Sequence, residues 1–213
     1  MISEILLQAG TDPTLSVGGI LKAIDGNIRV GHSGLFVTEA CEYTNSFLSF
    51  FPKIGIILNI EEDHMDFFKD LNDIRSSFRR FAQLLPEDGA LIINTGIERW
   101  EEITEGLSCR VITFGLDSSS DYFAEHISYD DRANASFTLK HADFPDRSLS
   151  LGVPGQHNVL NALAAAALAD ILGISFADTK LALHDFHGTN RRFEYKGMVN
   201  GITIIDDLSL IHI

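Results

Sequence analysis

The sequence predicts an α/β fold in which a mostly parallel sheet is flanked by helices and extended by a small antiparallel sheet. Between residues 35 and 114, short β-rich runs alternate with segments of helical periodicity. Strands connected through helices pair in parallel, so this order favours a parallel sheet with helices on both faces. Residues 121–151 instead alternate polar and apolar side chains between turn residues, which is typical of antiparallel strands.

The elements of the first half follow from hydrophobic periodicity. Apolar residues at helical spacing open the chain, and Gly10 follows them as a stop. The apolar runs 35–39 and 54–59 are predicted as buried strands, and several phenylalanines form an apolar patch between them. The remaining predicted elements are a helix over 70–85, a strand over 90–94, a helix over 98–104 and a strand over 111–114.

The second half is predicted to contain two further helices and a final strand. The stretch 158–172 is rich in alanine and leucine, and 176–184 continues the helical pattern. A β-rich run at 201–206 is predicted as the last strand. No internal repeat or low-complexity linker interrupts this order.

Composition excludes several classes of function. The 213 residues suit one large domain, or one domain with a fragment, and 45% of them are hydrophobic. The formal net charge of -14 argues against nucleic-acid binding, because an acidic surface repels phosphate backbones. An anionic ligand would therefore need a local positive site or a bridging metal ion.

Cysteine usage and hydropathy suggest a cytoplasmic protein. The two cysteines, Cys41 and Cys109, have no CxxC spacing, which suits a reducing compartment and gives neither a disulfide framework nor a zinc site. No apolar run approaches membrane-spanning length, and the first residues lack the basic region of a signal peptide. We therefore expect no membrane partner.

The first candidate site is the run 59–66, directly after a predicted buried strand. Ligands of open α/β sheets gather at the carboxyl ends of strands, where a carboxylate and His64 can hold a divalent cation beside phosphate oxygens. Glu39 ends the other predicted strand and would reach the same crevice. A solvated acidic loop with an ordinary polar His64 explains the same residues, and composition alone favours that simpler interpretation.

The second candidate site opens the alanine-rich helix, at His157, Asn158 and Asn161. The two asparagines are three residues apart, so they share one face of the first turn. Their carboxamides match the donor and acceptor edge of a purine. Helix capping by Asn158 needs no ligand and, taken alone, is the simpler interpretation.

Two further candidates lie towards the end of the chain. Arg191 and Arg192 are adjacent in an acidic protein, and guanidinium groups bind phosphate oxygens in bidentate fashion. Surface ion pairs with nearby carboxylates would also explain them. Asp206 and Asp207 end the last predicted strand, where a turn is the alternative.

In their order along the chain, these segments resemble the Mur ligase family. The resemblance rests on the segment 39–43 with its Glu-Ala-Cys-Glu element, the run 59–66, the segment 155–162, the Arg-Arg-Phe element within 188–193 and the segment 204–207 with its two aspartates. It covers nearly the whole chain. The first and fourth elements are similar to those of the family member that joins L-alanine to UDP-N-acetylmuramic acid.

The resemblance implies a fold, a reaction and site roles. The fold would be the P-loop NTPase-like central domain, and ATP would phosphorylate the lactyl carboxylate of the nucleotide sugar before L-alanine displaces the phosphate. Glu39 and His64 would bind Mg²⁺, and Asn59 and Glu61 would shape the metal loop. The implied roles of the other candidates are base contacts for Asn158 and Asn161 beside His157, phosphate contacts for Arg191 or Arg192, and a ribose contact for Asp206.

The chain also departs from the family pattern. No Gly-Lys-Thr or Gly-Lys-Ser occurs in it, so the family's phosphate loop is missing. We expect a chain cut short at both ends and inactive alone: a central ATP-binding domain over 1–195 without its phosphate-loop strand, and a linker with the start of the ligase domain over 196–213. The segment 208–213 departs abruptly from the family and is expected to be foreign sequence.

Three alternatives stay open. A sister ligase, acting on murein tripeptide or resembling folylpolyglutamate synthetase, would share these motifs and differ in its amine-selecting domain. A non-catalytic nucleotide-binding module would bind ATP without depending on Glu39 or His64. A plain α/β domain with solvated acidic loops requires all the candidate sites to coincide by chance. The oligomeric state is not predicted.

Overall fold

The computed structural model describes residues 1–189 and 194–207. Two 3-10 helices, Lys22–Ile24 and Tyr43–Ser49, accompany the regular elements of this part of the chain. In chain order, those elements are α1 (Ile2–Gln8), β1 (Thr14–Leu21), β2 (Gly26–Arg29), β3 (Phe36–Thr38), β4 (Ile54–Ile57), α2 (Leu71–Ala82), β5 (Ala90–Asn94), α3 (Trp100–Thr104), β6 (Arg110–Gly115), β7 (Tyr122–Tyr129), β8 (Asn134–His141), β9 (Phe144–Pro154), α4 (Gln156–Ile171), α5 (Phe176–Asp185), β10 (Glu194–Val199) and β11 (Ile202–Asp206).

The central sheet has six strands in the order β4-β5-β6-β7-β8-β9. The pairings from β4 to β7 are parallel, and β7-β8 and β8-β9 are antiparallel. This arrangement confirms the predicted fold class, with the antiparallel strands continuing the same sheet. Only Phe114 and Gly115 of β6 pair with β7, through Tyr122 and Phe123. Because β7 starts where β6 ends, a short connection can join these two parallel strands.

β5 shows why the sheet is buried on both faces. All five of its residues are buried. Ile92 belongs to the core beneath α4, whereas Leu91 and Ile93 belong to the core beneath α2. Successive strand residues point to opposite faces, so a continuous apolar run is needed when helices cover both. The alanines of α4 are almost fully buried, which lets this helix pack closely on the strands.

A second, three-stranded sheet has the order β2-β1-β3, with β3 parallel to β1. The predicted strand over 35–39 is present as β3, but its predicted burial is wrong, since Phe36 is 61% exposed. An apolar run alone does not distinguish a central strand from one in a small sheet with an open face. The sequence did not predict β1, in which Gly18 and Gly19 interrupt the β-rich pattern, or β2, which has only four residues.

The remaining predicted elements agree with the structure. The helices predicted over 70–85, 158–172 and 176–184 correspond to α2, α4 and α5. β11 confirms the final strand, and it pairs with β10, which was not predicted, in a separate two-stranded sheet. Among the described residues, no helix is long and apolar enough to cross a membrane.

Candidate functional site

The carboxyl ends of β4 and β5 are held together by Asn94. This buried side chain donates from Nδ2 to the carbonyl of Leu58 at 3.0 Å, and its Oδ1 accepts from the backbone N–H of Gly96 at 2.8 Å. The bonds satisfy a carboxamide that would otherwise be costly to bury. They also fix the point from which the loop 58–68 leaves the sheet.

His64 and Asp63 lie in this loop, and Glu42 approaches them from the segment between β3 and β4. Ligand atoms of Glu42, Asp63 and His64 lie within 4.8 Å of one another. The Nε2 atom of His64 is 3.5 Å from Oε1 of Glu42, and the His64 backbone N–H donates to Oδ1 of Asp63 at 2.7 Å. Two carboxylates and an imidazole are a donor set that fits a divalent cation.

Glu42 reaches His64 because of the turn that follows it. Thr44 and Asn45 adopt left-handed backbone angles, with φ of 53° and 59°. The hydroxyl of Ser77 on α2 donates to Oδ1 of Asn45, and Phe47 is buried, with its ring stacked on Phe81 at 4.9 Å. The 3-10 segment is therefore anchored on α2 while it presents Glu42 to the loop.

Tyr43 covers one side of His64. The two ring centroids are 4.6 Å apart, and the Tyr43 hydroxyl donates to Oδ2 of Asp66 at 2.7 Å. This hydrogen bond, together with the Asp66 charge, raises the pKa of Tyr43. Sequence reasoning did not assign Glu42 or Tyr43 to the site, although both follow Glu39 within a few residues.

Glu39 directly follows β3, a strand of the smaller sheet. Its Oε2 atom accepts a hydrogen bond from the backbone N–H of Gly18 at 2.7 Å. It is not a member of the Glu42, Asp63 and His64 group, so its pairing with His64 on one cation stays a prediction. In the loop 58–68, Nδ2 of Asn59 donates to Oε1 of Glu61 at 2.6 Å, between β4 and His64.

The first turn of α4 forms a connected polar cluster. Asn161 donates from Nδ2 to Oδ1 of Asn158 at 3.1 Å, so the two side chains share a face as predicted. Asn158 donates to the carbonyl of Pro154 at 2.8 Å and lies 3.1 Å from Nε2 of His157. The capping interpretation of Asn158 is wrong, because the N-cap is Gly155, whose φ of 96° turns the chain into the helix.

The other predicted site residues follow α5 along the chain. Arg191 and Arg192 fall outside the described residues, so their predicted phosphate contact has no structural account. The segment before them is attached to β9, since Nδ1 of His187 lies 3.1 Å from the carbonyl of Gly152. Asp206 ends β11 and forms an ion pair with Lys196, with Nζ and Oδ2 at 3.6 Å.

A comparison against known families agrees with the fold. The Mur ligase middle domain matches residues 22–169, and the chain therefore belongs to the Mur ligase family. This confirms the resemblance drawn from the sequence motifs.

Within the Mur ligase family, the chain is similar to ligases that carry one particular name. The chain is 58% identical over 207 residues to the UDP-N-acetylmuramate–L-alanine ligase of Agathobacter rectalis, covering 97% of the chain and 45% of the relative. It is 54% identical over 208 residues to the ligase of the same name from Lachnospira eligens, again covering 97% of the chain and 45% of the relative. The chain thus spans about 45% of the length of these relatives.

Solved structures of Mur ligases also match this chain. A crystal structure of UDP-N-acetylmuramate–alanine ligase from Thermotoga maritima matches with a TM-score of 0.82 and 31% identity, covering 98% of this chain and 46% of that one. The murein peptide ligase of Psychrobacter arcticus matches with a TM-score of 0.77 and 28% identity, covering 98% of this chain and 48% of that one.

Proposed function

We propose that this chain supplies the ATP-binding region of a ligase that joins L-alanine to UDP-N-acetylmuramic acid. The observation that carries the proposal is the identity of 58% over nearly the whole chain to a ligase of that name. The identity to the solved murein peptide ligase is 28%, so the alanine-adding reaction is favoured over the tripeptide reaction.

The reaction would proceed in two steps. The lactyl carboxylate of UDP-N-acetylmuramic acid attacks the γ-phosphorus of ATP, which forms an acyl phosphate and releases ADP. The amine of L-alanine then attacks the acyl carbon, phosphate leaves, and a proton is lost from nitrogen as the amide forms. The protein contributes mainly positioning and charge stabilisation to chemistry of this kind.

Glu39 and His64 are the residues we assign to the magnesium site. The clustering of His64 with Glu42 and Asp63 at the end of β4 supports a divalent cation in this place. The ion would neutralise charge on the phosphate oxygens. Glu42 and Asp63 are additional ligands or charge partners within reach of His64.

The nucleotide would extend from this loop towards α4. Asn158 and Asn161 present joined carboxamides that suit a purine edge, with His157 beside them. Asp206 is assigned to the ribose, and Arg191 or Arg192 to the γ-phosphate or acyl phosphate.

In this proposal residues 1–195 form the central domain, 196–213 begin the linker to the amino-acid domain, and the enzyme acts in the cytoplasm.

The proposal is tested with a chimera, because no Gly-Lys-Thr or Gly-Lys-Ser element occurs in the 213 residues. This chain replaces the matched 207-residue segment of the Agathobacter rectalis ligase. We expect the chimera to incorporate labelled L-alanine into UDP-N-acetylmuramic acid with stoichiometric release of ADP and phosphate. His64→Ala should lower kcat at least about 100-fold, as expected when charge stabilisation is lost.

His126→Ala is the matched control, since His126 is an exposed histidine on β7. Its kcat should equal that of the parent chimera. A folded chimera that binds ATP but forms no amide would instead favour a non-catalytic module. Equal losses of kcat in the two variants would show that His64 does not belong to the proposed site.

A further inference from the structure

Gly18 touches the side chain that the proposed function assigns to the metal. The backbone N–H of Gly18 donates to Oε2 of Glu39 at 2.7 Å. A Cβ atom placed on Gly18 would lie 2.5 Å from Oε2 and 2.9 Å from Cδ of the same side chain. Any side chain at this position would therefore displace the carboxylate.

The pairing of β1 with β3 fixes the other end of Glu39. Ser16 pairs with Thr38 in parallel register, and the backbone N–H of Glu39 donates to the carbonyl of Ser16 at 3.0 Å. The main chain of Glu39 is thus bound to β1 at residue 16, and its carboxylate is bound to β1 at residue 18. Oε1 is the oxygen that this arrangement leaves for a cation.

The neighbouring glycine has different surroundings. A Cβ atom on Gly19 would approach Thr189 at 3.5 Å, which is an ordinary van der Waals distance. Neither glycine has a positive φ, so alanine suits the backbone at both positions. Gly19 is therefore a matched control for Gly18 within the same strand.

We propose that Gly18 is a positioning residue for the metal site. It holds one oxygen of Glu39 through its N–H and, by having no side chain, leaves space for the carboxylate in that orientation. The inference rests on the proposed role of Glu39 as a metal ligand. Residues that orient metal ligands in this way commonly change metal affinity by about 10- to 100-fold when they are altered.

The test is Mn²⁺ binding to the 213-residue chain. Binding is measured as the loss of the free Mn²⁺ signal in electron paramagnetic resonance. We expect Gly18→Ala to weaken binding at least about 10-fold, and Gly19→Ala to leave it unchanged. Unchanged affinity in folded Gly18→Ala would overturn the proposal while the proposed function stands. No Mn²⁺ binding by the unsubstituted chain would overturn it too, whereas the function is judged separately by amide formation in the chimera.

A second measurement covers the case in which Gly18→Ala folds poorly. Thermal unfolding is compared for Gly18→Ala alone and for Gly18→Ala combined with Glu39→Ala. We expect a small loss of Tm when Glu39 is present and none when it is absent, because the clash is only with the flexible end of that side chain. An equal loss of Tm in both backgrounds would show that Gly18 does not act through Glu39.

Discussion

Asp12 organises the turn before β1 through three interactions. Its carboxylate accepts from Arg29 at 2.5 Å and from the backbone N–H of His32 at 2.9 Å, and it lies 3.0 Å from the His32 ring nitrogen. The Arg29 hydrogen bond is the largest cause that lowers the pKa of Asp12 to about 2, followed by the bonds from His32. The charged form is thus favoured in the folded state.

This shift predicts a loss of stability in acid. The contribution of Asp12 is present above the ordinary carboxyl pKa of 3.8 and is lost as the pH falls through about 2. Thermal unfolding should show a Tm difference between the parent chain and Asp12→Asn at pH 5 that shrinks towards pH 2. A difference that stays constant over this range would show that the Asp12 charge is not stabilised by folding.

At the scale of single residues, the sequence predicted some residues of the candidate site and missed others. His64, Asn158 and Asn161 stand within recognisable motifs, so their positions could be predicted. Glu42 and Tyr43 reach His64 through a left-handed turn at residues 44 and 45, packed on α2. Neither hydrophobic periodicity nor motif spacing reports such a turn, because it depends on tertiary contacts.

At the scale of elements, an ion pair joins the antiparallel strands to α4. Arg147 on β9 donates to both oxygens of Asp170 on α4, at 2.9 and 2.7 Å, and Tyr122 on β7 donates to Asp170 at 3.0 Å. The guanidinium also lies over the rings of Phe144 and Phe176, at 4.2 and 5.0 Å. Burial and the nearby Asp170 charge raise the pKa of Tyr122 well above its usual range.

Asp170→Asn should therefore destabilise the chain strongly. The side chains of Arg147 and Asp170 are only 13% and 12% exposed, so the substitution leaves a nearly buried cation without its partner. We expect a loss of about 3 kcal/mol in the free energy of unfolding, measured by urea denaturation. Asp88→Asn, which breaks the exposed Lys53 pair, is the control and should shift the midpoint far less. Equal shifts would contradict this account.

Elements with clear periodicity and caps could be predicted, and the others could not. Asp70 and Ser175 accept backbone hydrogen bonds at the starts of α2 and α5, which fits the boundaries expected for these helices. β1 alternates polar and apolar residues only over 14–17, and a glycine pair then interrupts the pattern. In β10, Gly197 interrupts the alternation in the same way, and the strand is stabilised by pairing with β11 in the structure.

At the scale of the whole molecule, the proposed metal site draws its two ligands from the ends of two different sheets. The six-stranded sheet presents His64 and Asp63 beyond β4, and the smaller sheet presents Glu39 beyond β3. The chain between β3 and β4 carries Glu42 across to His64. Membership of the Mur ligase family agrees with the fold, and we predict a single cation bound between Glu39 and His64.

The measurement that tests this claim most directly is a crystal structure of the chimeric ligase with Mn²⁺ and a non-hydrolysable ATP analogue. The anomalous signal of manganese marks the ion independently of the nucleotide. We predict one Mn²⁺ coordinated by Glu39 and His64, with the purine against Asn158 and Asn161. A manganese ion bound away from both Glu39 and His64, or a purine bound away from the first turn of α4, would contradict the account.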